Sequence, residues 1–125
     1  MIQIITPPIL SELLSASEAP CLSLYVPTHR SHPENLQDPI RFKNLVEQLE
    51  ESLLQQYPAD EVSSLLVPFK ELENNKDFWN HTMDGLAVLS SKEILKVIGL
   101  PVTVQELAVV ADSFHTKPLR KFAIN

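Results

Sequence analysis

The sequence predicts an α+β fold: a small, mainly antiparallel sheet of three to four strands, packed by two long antiparallel helices plus a short N-terminal helix. Three observations carry this. Phe42, Leu45, Val46, Leu49 and Leu53, and then Val62, Leu65, Leu66 and Phe69, recur at three- and four-residue spacing, the period of helices with one buried face. Residues 22–26 alternate with a period of two, and short apolar runs at 86–89, 94–98 and 107–111 lie between turn residues, as strands do. With 125 residues, 14.1 kDa, 44% apolar residues and a mean hydropathy of −0.01, the chain fits one domain over 1–125. A domain of that size can bury about two-thirds of its unfolded surface.

Each element has its own justification. Pro7 and Pro8 suit a first helical turn, whose N–H groups have no partner anyway, and Ile9, Leu10, Leu13 and Leu14 share one face of a helix ending near Ala16. Ala19-Pro20 ends that unit. In the following strand Leu22, Leu24 and Val26 face one way and Cys21, Ser23 and Tyr25 the other, until Pro27 stops it. Residues 28–37 have no apolar period and read as an exposed loop. Asp38 is placed to cap a helix that Pro39 opens, running over residues 39–56. Tyr57-Pro58 breaks it, and the next helix ends near Asn74-Asn75, with Pro68 predicting a kink or a restart inside it. Phe78-Trp79 anchors the chain in the core. Asp84-Gly85 leads into a strand at 86–89, residues 90–93 turn, and 94–98 return as a hairpin closed by Gly99-Leu100-Pro101. The runs at 86–89 and 107–111 are apolar on both faces, so both sides of the sheet need a cover. The long helices provide one. The first helix, a neighbouring domain or a second subunit in a homodimer must provide the other.

Several functions are excluded by what the chain lacks. No apolar run reaches the roughly 20 residues that span a bilayer, and the N-terminus has neither the basic region nor the cleavage site of a secretory signal. No membrane partner and a cytoplasmic location are expected. The one cysteine, Cys21, sits in an apolar strand and reads as a buried, reduced thiol. Gly85 and Gly99 alone cannot form a phosphate-cradling loop. His29, His32, His81 and His115 have no zinc-site spacing, so neither metal nor cofactor is expected. Thr28 and His29 are neighbours on an extended backbone and point apart, and no nucleophile turn is present. The chain therefore reads as a non-enzyme, with no catalytic residue assigned; long-range sets such as His29, Asp84 and His115 are left open.

Charge narrows the binding surfaces. Of the net −6, residues 1–43 hold three cations against four acids, residues 44–112 four against twelve, and residues 113–125 three against none. So acidic a body argues against nucleic-acid binding over the whole surface and leaves a local contact through the ends. One candidate RNA- or anion-binding corner combines Thr28, His29 and Arg30 from the loop with Arg41 and Lys43 from the helix, because guanidinium forks bond phosphate or carboxylate in two places. The alternative is that Arg30 and Arg41 pair with Glu34 and Asp38 and order the loop. The second candidate is the basic block of Lys117, Arg120 and Lys121, which reads otherwise as a solvated tail.

Read together and in order, the blocks Leu22-Ser-Leu-Tyr-Val-Pro-Thr-His-Arg30, Gln37-Asp-Pro-Ile-Arg-Phe-Lys-Asn-Leu45, Phe78-Trp79, Asp84-Gly-Leu-Ala-Val88 and Val110-Ala-Asp-Ser-Phe-His-Thr-Lys-Pro-Leu119 resemble the N-terminal domain of the bacterial relatives of the archaeo-eukaryotic peptide-chain release factor subunit 1. That resemblance implies further domains in a longer chain, a middle one and a last one with a ribosomal-protein-like fold. It also implies binding to a ribosome or a related RNA–protein surface in translation termination or rescue. In the archaeal and eukaryotic relatives this domain reads the stop codon through an Asn-Ile-Lys-Ser and a Tyr-x-Cys-x-x-x-Phe run; neither occurs here, nor does the Gly-Gly-Gln of peptide release. The alternative function is a protein–protein interaction or dimerisation module without direct RNA contact.

Overall fold

A computed structural model describes residues 2–122; Met1 and residues 123–125 of the expected domain lie outside it. The strands are β1 (Gln3–Ile4), β2 (Cys21–Pro27), β3 (Gly85–Ser90), β4 (Leu95–Leu100) and β5 (Leu107–Ala111), and the helices α1 (Pro7–Ser15), α2 (Asp38–Leu54), α3 (Ala59–Glu73) and α4 (Lys117–Arg120). Single 3-10 turns occupy Glu34–Gln37 and Phe78–Asn80. The α+β class is as the sequence predicts. The sheet has five strands in the order β1-β4-β3-β2-β5, antiparallel except where β1 runs parallel to β4 through Gln3↔Ile98 and Ile4↔Gly99. It is thus mixed and one strand larger than expected, because β1 has only two residues, both exposed, and so has no alternation to read.

Period-two alternation sorts β2 into two cores. Leu22, Leu24 and Val26 join Leu86 and Val88 of β3 beneath α2 and α3, whose stripes Phe42, Leu45, Val46, Leu49, Leu53 and Val62, Leu65, Leu66, Phe69, Leu72 are all buried there. Trp79 packs against Phe42 with ring centroids 5.2 Å apart and donates its indole N–H to the Leu72 carbonyl at 2.9 Å, so the residues after α3 close this core. Cys21 and Tyr25 face the other way with Ala87, Leu89, Ile98 and Leu100, and are covered by Ile5, Leu13, Phe114 and Leu119. The first helix covers this second face, as one of the expected alternatives had it, but it shares the task with the C-terminal segment. Leu14 is the exception in the expected α1 stripe, 57% exposed while Leu13 is 1% exposed.

That C-terminal segment is a docked element and not a solvated tail. Ser23 Oγ accepts the His115 N–H at 2.9 Å and the Tyr25 hydroxyl donates to the His115 carbonyl, so two side chains of β2 grip one residue's backbone. Leu119 is then fully buried. In α3 the helix passes through Pro68 without restarting, because buried residues in the turns on both sides hold it in place despite the missing N–H. At the other end of the hairpin, a Cβ on Gly85 would lie 2.6 Å from the Val102 carbonyl oxygen, so the chain after β4 can cross here only over a glycine.

Candidate functional site

The loop after β2 and the start of α2 meet at the corner the sequence singles out, and the meeting is organised by a buried acid. Asp38 has no exposed surface, and its Oδ2 accepts the His29 backbone N–H at 2.7 Å. Oδ1 lies 2.8 Å from His29 Nδ1 and accepts from Arg41 Nη1 at 3.0 Å. Since a carboxylate only accepts, Nδ1 is the protonated ring nitrogen. Asp38 is therefore not the expected N-cap. The 3-10 turn at Glu34–Gln37 runs straight into α2, so Asp38 already has helical φ and ψ of −61° and −48°, and its carboxylate turns back to the loop.

The remaining candidates also have protein partners. Arg30 bonds Asp84 through both Nε and Nη2 at 3.1 Å, in place of the expected Glu34. Thr28 is buried; its hydroxyl donates to the Met83 carbonyl at 2.7 Å, and its N–H to the Asp84 carbonyl at 3.2 Å. Thr82 Oγ1 adds a bond to the His29 carbonyl at 3.1 Å. Together these bonds tie the loop to the strand entry at Gly85. Lys43 does not join them: it lies two residues beyond Arg41, about 200° around a helix, and is exposed. The corner thus pairs its own cations with its own acids.

Asp38 thus fixes the orientation of the His29 imidazole. Among the described residues no further hydrogen bond carries this pair toward a hydroxyl or a second acid: the Thr28 hydroxyl is turned to Met83, Asp84 is taken by Arg30, and the backbone of His115 is held by Ser23 and Tyr25. Among the described residues no hydrogen bond or ion pair joins any two of His29, Asp84 and His115, and the His115 ring lies edge-on to Tyr25.

Lys117, Arg120 and Lys121 are brought together by α4 and the turn after it, and all three are exposed. Arg120 donates from Nε and Nη2 to Thr116 Oγ1 at 3.4 and 3.3 Å, and Lys121 Nζ stands 5.2 Å from the Phe122 ring centroid. None of the three has a carboxylate within 4.0 Å among the described residues. Lys121 also lines a cleft of about 380 Å³ with Tyr25, Leu107, His115 and Pro118. Beneath it, burial pushes the Tyr25 phenol well above its ordinary range. Cys21 follows the same logic: burial first, then the Asp112 charge, raises its thiol, which suits the expected inert, reduced cysteine.

Sequence reasoning gave no sign of the two buried side-chain oxygens that lack a partner among the described residues, Asn35 Oδ1 and Glu73 Oε1. Asn35 is 6% exposed and donates Nδ2 to the Trp79 carbonyl at 3.3 Å, while its Oδ1 has no partner. A polar residue in a loop without periodicity gave no signal of burial. The chain matches no protein-family model and no curated protein.

Proposed function

We propose that this domain is a non-catalytic docking module that binds a ribosome or another RNA–protein surface, as the release-factor-like resemblance implies, and does so through Lys117, Arg120 and Lys121. The observation that supports this choice of surface is the partition of the cations. At the corner Arg30 and Arg41 are engaged by Asp84 and Asp38, which leaves Lys43 alone there, whereas the three C-terminal cations stand together, exposed and without a carboxylate partner among the described residues. Phosphate binding by Arg41 would have to displace the fully buried Asp38 carboxylate, and binding by Arg30 the partly exposed Asp84; recruiting the exposed C-terminal cations requires neither. The same partition favours a second reading, a protein–protein module, because it leaves the acidic body without an open basic face there.

Cosedimentation of the protein with ribosomes over a salt series separates the two. Replacing Lys117, Arg120 and Lys121 by Ala should weaken binding and flatten the logarithmic salt dependence by about one unit for each phosphate no longer neutralised, with a folded spectrum retained. A second triple variant, with Ala at Arg30, Arg41 and Lys43, should lose stability before it loses binding. Undiminished ribosome binding by the first variant moves the contact away from α4. No binding by the unaltered protein at low salt leaves the protein–protein reading.

A further inference from the structure

We propose that the cleft between the Glu34–Gln37 turn and the C-terminus of α3 is a binding site for a guanidinium group, the arginine side chain of a partner protein. It lies apart from the cations considered above, and its chemistry is independent of which larger surface the domain binds. The cleft measures about 380 Å³ and is lined by Asn35, Leu36, Pro39, Glu73, Trp79 and Asn80, with Lys76 also on its wall. Sites for small groups have this size and this makeup, apolar walls with a few polar atoms.

Two orphaned acceptors define its chemistry. Among the described residues, the buried side-chain oxygens or nitrogens without a partner are Asn35 Oδ1 and Glu73 Oε1, and both residues line this cleft. The Asn35 amide cannot be turned to satisfy itself, since its Nδ2 already faces the Trp79 carbonyl and the reverse orientation would oppose two oxygens. Glu73 is the last residue of α3, where the helix carbonyls make a carboxylate unwelcome, and among the described residues no cation lies within 4.0 Å of it. A buried acceptor pair, one member anionic, calls for a cationic donor with more than one N–H. A guanidinium carries several N–H donors in one plane, and its methylene stem suits the apolar wall of Leu36, Pro39 and Trp79. Leu36, although apolar, is 56% exposed at the rim, where a partner's backbone would pass.

Trp79 is the chain's one tryptophan, so the cleft carries its own reporter. The probe is Nα-acetyl-arginine methylamide, titrated into the 125-residue protein while the Trp79 indole and Asn35 amide resonances are followed. Saturable shifts of both are expected, with Nα-acetyl-citrulline methylamide, of the same shape but uncharged, binding at least tenfold more weakly. Glu73→Gln should weaken arginine binding at least tenfold without moving resonances elsewhere, which also checks its fold. Any of three results overturns the proposal: no shift with the arginine probe, equal binding of the citrulline probe, or undiminished binding by Glu73→Gln. If arginine binds only to Lys76→Met, Lys76 fills the cleft in the native protein and the proposal is likewise wrong. An arginine-containing extended peptide that binds more tightly than the free probe assigns the site to a protein partner; equal affinity assigns it to a small free cation and removes the partner.

Discussion

Asp38 shows how far one side chain can bind a loop to a helix. Three donors converge on its buried carboxylate, so Asp38→Ala strands the His29 amide, the His29 ring and the Arg41 guanidinium together. A lost cap costs about 1 kcal/mol, but breaking a buried charged set costs about 3–5. Arg41 is partly solvated, which argues for the lower end, and a loss of about 3 kcal/mol is expected. Urea denaturation should show a lower midpoint at unchanged slope; a loss near 1 kcal/mol would reduce Asp38 to a cap. Tyr25 carries the expectation for alkaline pH. Its phenol is raised by burial, so as the pH climbs the unfolded chain gives up this proton before the folded one does. The folded state then holds more protons, and stability that is intact below about pH 10 declines above it. Tyr25→Phe should lessen that decline, at the expense of the bond to the His115 carbonyl at every pH; an equally steep decline in the variant would assign it to other groups.

Within the elements, α3 gives the clearest mismatch between local preference and fold. Pro68 sits inside a continuous helix with Ser64 one turn before it, and a helix-interior proline costs about 3 kcal/mol relative to alanine. Because its ring is half-buried and some packing would go with it, Pro68→Ala is expected to stabilise the domain by about 2 kcal/mol, measured as a higher thermal or urea midpoint. A drop in midpoint would mean that the ring's packing outweighs the missing bond. The long elements were legible because their stripes are regular: α2, α3, β2, β3 and β5 appear close to where period and turn residues put them, whereas β4 runs on through Gly99 and Leu100, which the sequence reads as the turn that closes the hairpin. The class of the fold was readable for the same reason. What was not legible depends on distant partners. β1 exists only because β4 offers an edge, α4 only because Ser23 and Tyr25 hold His115, and the Arg30–Asp84 and His29–Asp38 pairings only because the strand entry at Gly85 lies beside the loop. At the candidate corner, sequence assembled the loop with Arg41 and offered the Arg41–Asp38 pair as the alternative to anion binding, but gave no sign that Asp38 is buried and also holds His29.

For the whole molecule, the second face of the sheet is closed by segments from both ends of the described chain, α1 and residues 114–122. Leu119 is the deepest residue of the later segment, with no exposed surface. Leu119→Ala should therefore cost about 2–4 kcal/mol, the range of a core leucine, where a solvated tail would show a change under about 0.5. Denaturation of that variant beside a Lys117→Ala control would read the difference directly. Synthesis runs from β1 to β5, but the sheet cannot be assembled in that order. β2 is made early and must wait for β3 on one side and, until Ala111 is made, for β5 on the other. During that wait the run Cys21–Pro27 keeps an unpaired edge, and its Tyr25 side has no Phe114 or Leu119 to lie against. The α2–α3 layer can form while the chain is still being made, whereas the opposite layer is a late event, set by the pairing of residues far apart in sequence. A nascent chain stalled between β4 and β5 would present its half-built sheet to whatever chaperone or neighbouring chain stands nearby.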